Sequence, residues 1–166
     1  MRVSNHHSRS FGEPPELVGA CLDSLSGQAD SLWPYERWPR MGFDRPLAVG
    51  AKGGHGPIRY FVEEYEPGRK ITFRFTKPDG FQGTHGFHVT PTDSGCELRH
   101  VIEMRVSGPA LLTWPVVFRP LHDALLEDAL DKVEANLSGR AWARRDLPLV
   151  VRILRRILAN RGRTKA

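Results

Sequence analysis

His85 and His100 lie in two stretches that alternate apolar and polar residues. Phe81, Phe87 and Val89 share a parity with His85, and Leu98, Ile102 and Met104 share one with His100. Side chains of a strand alternate between its faces, so each imidazole is expected on the apolar, inward side. The turn Thr92-Asp93-Ser94-Gly95 joins the stretches into a hairpin, which sets the two rings roughly 5–8 Å apart at Cβ. Two imidazoles in an apolar concavity could move a proton near neutral pH, or orient a polar group of a ligand. They could equally be core histidines, each bonded to a backbone carbonyl or to water.

Other candidates are weaker. Glu64 shares the parity of Tyr60 and Val62, so it points inward unless the strand bulges before Pro67; a bulge is the expected case. Arg59, Glu63, Arg74, Arg99, Glu103 and Arg105 fall on the opposite strand faces and read as a solvated outer surface with cross-strand ion pairs, with His88 beside them. Gly50, Gly53, Gly54 and Gly56 lack the Lys-Ser/Thr of a phosphate loop and read as a flexible turn, with His55 at a pocket rim. No Gly-x-Ser-x-Gly, His-Glu-x-x-His or Cys-x-x-Cys occurs, so hydrolase elbows and standard zinc sites get no support.

The elements that must position these residues follow from periodicity. A polar first strand is expected over 3–11, then a short helix opened by Glu13-Pro14-Pro15-Glu16 and ended by Ser26-Gly27. The stretch 30–44 mixes Trp33, Tyr35, Trp38 and Phe43 with prolines, which suggests a helical turn and a packed loop. Strands are expected at 47–51, 57–65, 71–76, 81–90 and 96–106, the last four joined by tight turns into an antiparallel meander. A long helix is expected over 109–137. Its stripe is Phe118, Leu121, Leu125, Ala129, Val133 and Leu137, and its charged side Arg119, Asp123, Glu127, Asp128, Asp131 and Glu134. Pro120 lacks an N–H for the Val116 carbonyl, so a kink or break is expected there.

This order resembles the START/SRPBCC superfamily, with its helix-grip fold, which includes polyketide cyclase-like proteins. The resemblance rests on the first strand running into Glu13-Pro14-Pro15-Glu16-Leu17-Val18, on Val62-Glu63-Glu64-Tyr65-Glu66-Pro67-Gly68-Arg69-Lys70-Ile71, and on the amphipathic terminal helix. It implies an α+β domain over 1–137. A curved antiparallel sheet of six or seven strands, with two short helices after the first strand, would wrap the long helix. The resemblance also implies a pocket between them for a hydrophobic or aromatic, lipid- or polyketide-like molecule. Trp33, Tyr60, Phe73, Phe75, Phe87, Met104, Trp114 and Phe118 would supply contact area there, with His85 and His100 orienting a polar group. The enzymatic alternative is a cyclase/dehydratase in which one of these histidines moves a proton. No cofactor is implied. In the resembling fold the first strand pairs with the last, which would gather His7, His85 and His100. Three histidines could bind zinc, but no carboxylate support is evident in the sequence, and no metal is assigned.

The totals agree with one such domain: 166 residues, 40% apolar and 26% charged, with no run long enough to span a membrane. No apolar leader opens the chain, and Cys21 and Cys96 read as reduced thiols of a cytoplasmic protein. The net charge of +5 is uneven. The extension 138–166 has nine basic residues and one acid, while the rest has fifteen basic and eighteen acidic, so charge gives the domain body no reason to bind nucleic acid. In the extension Leu147, Val150, Val151, Leu154 and Leu158 form a stripe, with Leu149, Ile153 and Ile157 beside it and Arg152, Arg155 and Arg156 opposite. Such a helix could pack on its own domain or on a twin subunit in a homodimer, dock on a partner as that of an interaction protein, lie on an anionic membrane surface, or approach nucleic acid.

Overall fold

The computed structural model describes residues 1–143 and 146–163, with side chains to 158. Seven strands form one antiparallel sheet in the order β1-β7-β6-β5-β4-β3-β2. They are β1 (Arg2–Phe11), β2 (Gly42–Phe43), β3 (Lys52–His55), β4 (Ile58–Glu66), β5 (Lys70–Lys77), β6 (Phe81–Thr92) and β7 (Gly95–Val106). The helix α1 (Pro15–Asp23) follows β1. The expected second short helix is one turn, in which the Trp38 amide donates to the Pro34 carbonyl at 3.0 Å. After β7 come α2 (Ala110–Thr113), a π-turn (Trp114–Phe118), α3 (Arg119–Ser138) and, across a linker, α4 (Leu149–Arg163). The architecture is the α+β helix grip, with the sheet curved around the long helical segment.

The strands obey the period-two rule. On β7, Cys96, Leu98, His100, Ile102, Met104 and Val106 are buried on one face. Two strand expectations shift. Residues 47–51 are not a strand, and Gly53, Gly54 and His55, read as a turn, are strand β3 paired with β4. Gly53 belongs there because β2 comes very close: a Cβ at this position would lie 2.2 Å from the Gly42 carbonyl oxygen. Glu64 sits where the β4–β5 register slips, so the bulge expected from the sequence turns it outward to Lys70.

The break at Pro120 takes a definite form. The Arg119 amide reaches back five residues to the Trp114 carbonyl, and Pro120 enters the first turn of α3, where its missing N–H costs nothing. Gly139 ends α3 in the left-handed conformation at φ 64°.

Much of the charged side of the long helix is covered rather than solvated. Leu125, Leu126, Ala129, Leu130 and Val133 are buried in the core, as expected. Asp128 and Lys132 are also buried, beneath the loop that carries Trp33 and Trp38. A third row meets β1. Arg9 donates to Asp131 at 2.5 Å, to Glu134 at 3.0 Å and to Glu127 at 3.1 Å, and His7 and Asn5 meet Asp123. The unusual polarity of the first strand is thus complementary to the acidic row of the helix above it.

The tail helix also differs. Val151 is buried and Leu154 half-buried, and Arg155, expected among the solvated arginines, turns inward over the Trp38 ring at 4.5 Å and donates to the Arg37 carbonyl. The outward face carries Leu149, Val150, Ile153 and Ile157 beside exposed Arg152 and Arg156. Arg144, Arg145 and Lys165 of the basic extension lie outside the described residues. No helix among the described residues is long and apolar enough to cross a membrane.

Candidate functional site

Strands β1, β3, β4, β6 and β7 and helix α3 bring five histidines and a tyrosine into one row. His85 Nδ1 and His100 Nε2 are 3.4 Å apart, and both side chains are buried. The His85 ring meets the Tyr60 ring edge-on at 4.8 Å and stacks on Phe75 at 4.5 Å. His55 Nδ1 lies 3.0 Å from the Tyr60 hydroxyl. On the other side His100 is 5.0 Å from the ring of His122, on α3, and His122 is 5.6 Å from that of His7, on β1. Gly86, between His85 and Phe87, lets β6 press onto β5: a Cβ there would meet the Ile71 carbonyl oxygen at 2.1 Å.

This row is poorly supplied with hydrogen-bond partners. His85 Nε2, His100 Nδ1 and both ring nitrogens of His122 are buried without a partner. Buried polar groups normally find one, and leaving one unmet costs about 1–3 kcal/mol. Among the described residues, no main-chain oxygen meets the rings of His85 and His100. Burial, reinforced by neighbouring imidazoles, holds both well below the ordinary histidine range, so they are neutral at pH 7. Burial likewise lowers His122 against the pull of Asp123, and brings His55 down to about 3. It pushes the Tyr60 phenol up.

Of the expected contact residues, Trp33, Tyr60, Phe73, Phe87, Met104 and Trp114 are buried, and Phe75 and Phe118 half-buried. Phe73, Phe75, Tyr60 and Phe87 surround the histidine pair, and Phe81 links Phe75 to Trp114 and Phe118. Trp33 and Met104 are displaced from this group. Trp33 packs on His55 and donates its indole N–H to the Pro39 carbonyl. Met104 pairs with Val3 and Gly83 at the end of β7. A cleft of about 590 Å³ opens at the β2–β4 edge, where Tyr60, His55 and Phe43 form its apolar wall and Arg40, Asp44, Lys52 and Arg59 its polar one. At the opposite end, exposed Leu112 and Val116 flank the π-turn over Phe118.

The sequence reading missed His122. It lies next to Asp123 on a helix read as an apolar stripe and a charged side, and only the packing of α3 against the sheet brings it within 5.0 Å of His100. A signal was present in the adjacency of His122-Asp123 four residues before Glu127, opposite a strand carrying His7 and Arg9.

No family model matches this sequence, and no curated protein does. Solved structures do. CalU16 from Micromonospora echinospora is 13% identical, with 96% of each chain covered and a TM-score of 0.58. A protein from Rhodobacter sphaeroides is 16% identical over 82% of this chain and 92% of its own, with a TM-score of 0.57. Norcoclaurine synthase from Thalictrum flavum, a point mutant in complex with a transition state analogue, is 14% identical over 79% of this chain and 97% of its own, with a TM-score of 0.53. At these identities the likeness establishes the fold.

Proposed function

We propose that this chain, with the helix-grip fold of the START/SRPBCC superfamily, binds a hydrophobic or aromatic small molecule whose polar group is met by His85 and His100. The observation that carries the reading is the pair of buried nitrogens, His85 Nε2 and His100 Nδ1, without protein partners. A sheet interior that keeps such groups unsatisfied gives up stability, which is what a site prepared for a ligand's polar atom does. Phe75, Phe87, Trp114 and Phe118 supply the flat apolar area for the remainder of the ligand. The fold hosts ligand binding in at least one neighbour, the synthase with its bound analogue.

The test begins with mass spectrometry of what the purified protein releases on denaturation, followed by titration of that compound. His85→Ala and His100→Ala are each expected to weaken binding by about 1–3 kcal/mol, roughly 5- to 150-fold, through a lost hydrogen bond. Unchanged affinity in both would remove the histidines from the site.

A cyclase/dehydratase activity is the second reading, favoured by the 3.4 Å approach of the two rings. A base within hydrogen-bond reach of a second imidazole can take a proton from a carbon next to a carbonyl and pass it on. In that case His85→Ala abolishes turnover while binding persists. The exposed apolar row of α4 beside Arg152 and Arg156 supports a contact with a membrane surface or a second copy. For such a contact, Ile153→Glu with Ile157→Glu is expected to lower liposome binding or the oligomeric state; a change in neither removes it.

A further inference from the structure

We infer that His7, His122 and Asp123 form a site for one divalent first-row transition ion of the zinc type. Their donor atoms all lie within 4.8 Å of one another. His7 Nε2 is 3.0 Å from Asp123 Oδ1, and His122 Nδ1 is 3.6 Å from the same oxygen. Donors held at about 2.0–2.1 Å around one zinc lie roughly 3–4 Å apart, so small side-chain adjustments complete the geometry. Two imidazoles and one carboxylate are a donor set suited to first-row ions and unlike the all-oxygen shells of magnesium and calcium.

Three further observations point the same way. First, Glu127 Oε1 lies 3.0 Å from His7 Nδ1. A carboxylate on the far nitrogen fixes the tautomer, turns the Nε2 lone pair toward the ion and strengthens it as a ligand. This is the carboxylate support that the sequence alone did not reveal. Second, both nitrogens of His122 are buried and unpartnered, and its 3.6 Å approach to Asp123 is too long for a hydrogen bond. The contacts of His7 with Asp123 and Glu127 account for His7 alone; an ion engages His122 as well. Third, Asp123 sets a carboxylate beside both imidazoles, and Arg9, 3.1 Å from Glu127 Oε2, holds the supporting carboxylate in place. The Asp123 side chain is 37% exposed, so solvent reaches the site and coordination positions stay open. The site stands apart from the ligand reading: it lies between β1 and α3, on the outer side of His100.

The experiment uses the full chain, stripped of metal with a chelator and titrated with zinc chloride by calorimetry. Cobalt chloride serves as a spectroscopic probe and magnesium chloride as a control. One zinc per chain is expected, with visible cobalt absorption and no competition from magnesium. Glu127→Gln, which keeps the shape of the side chain, is expected to weaken zinc binding by about 10–100-fold, and His122→Ala by more. His6→Ala, an exposed side chain on the other face of β1, is expected to leave it unchanged. The inference is overturned if the stripped protein takes up no zinc, or if Glu127→Gln and every folded ligand variant bind it as the parent does. Should His122→Ala fail to fold, Glu127→Gln decides. Neither result bears on the organic ligand, whose retention is measured separately.

Discussion

Asp128→Ala is expected to lose about 3–5 kcal/mol of stability, and to melt roughly 6–20 °C below the parent protein. The carboxylate is 1% exposed. One oxygen accepts the Trp38 indole N–H at 2.8 Å and the other the Arg37 guanidinium at 3.2 Å. Arg37 in turn stacks on Trp142 at 3.6 Å and donates to the Ala143 carbonyl, so one side chain ties α3 to the aromatic loop and to the linker before α4. Alanine removes the acceptor and strands a buried indole donor and a mostly buried cation. Asp128→Asn keeps an acceptor for the indole and should cost less. Chemical denaturation measures both, and a loss below about 1 kcal/mol for alanine would mean that Trp38 and Arg37 find other partners.

Asp128 also shows where the sequence stopped being legible. Hydrophobic periodicity marks a residue as inward or outward with respect to one surface. The stripe through Leu125, Ala129 and Val133 was readable because the sheet is that surface. The long helix has three covered sides. The loop over Asp128 and Lys132 and the strand opposite Asp123, Glu127 and Asp131 cover polar side chains, and polar burial leaves no trace in an apolar pattern. Lys132 is a case in point: it reads as an exposed helix lysine, yet its ammonium donates to the Trp33 carbonyl at 2.8 Å and to Glu36. The strands β4 to β7 were legible for the converse reason. Their inner face is apolar and their outer face charged, so parity alone brought His85 and His100 together. The pairing of β1 with β7 sets His7 opposite His100, but that contact spans most of the chain, and a period of two says nothing of partners. His122 needed two such long-range facts at once.

Acid is expected to loosen this fold early, and His85 is the residue that tests why. Burial, with His55 and His122 adding to it, holds its imidazole well below the ordinary 6.5, and burial brings His55 down to about 3. The folded state therefore keeps both neutral while the unfolded chain takes up protons as pH falls past about 6.5. The unfolded state binds more protons, so stability is full above that value and declines below it, until each folded group titrates in its turn. Each histidine can withdraw up to about 1.4 kcal/mol per pH unit within its window. His100 and His122 act in the same direction from the same cause. Asp30, whose carboxyl burial pushes up, opposes them in part. Asp123, which His122, His7 and Asn5 hold down despite its burial, adds its loss only in the carboxylate range below. Denaturation at a series of pH values between 7 and 4.5 reads the slope. In His85→Leu that slope should fall by up to about 1.4 kcal/mol per pH unit. At pH 7 the variant loses the unpartnered Nε2 of His85 but also strands His100 Nε2, which His85 Nδ1 approaches at 3.4 Å, so its stability should stay within about 1 kcal/mol of the parent. If His85→Leu instead loses more than that at pH 7 and keeps the parent's acid slope, His85 is a structural group, and the case for it as the ligand's polar contact is lost.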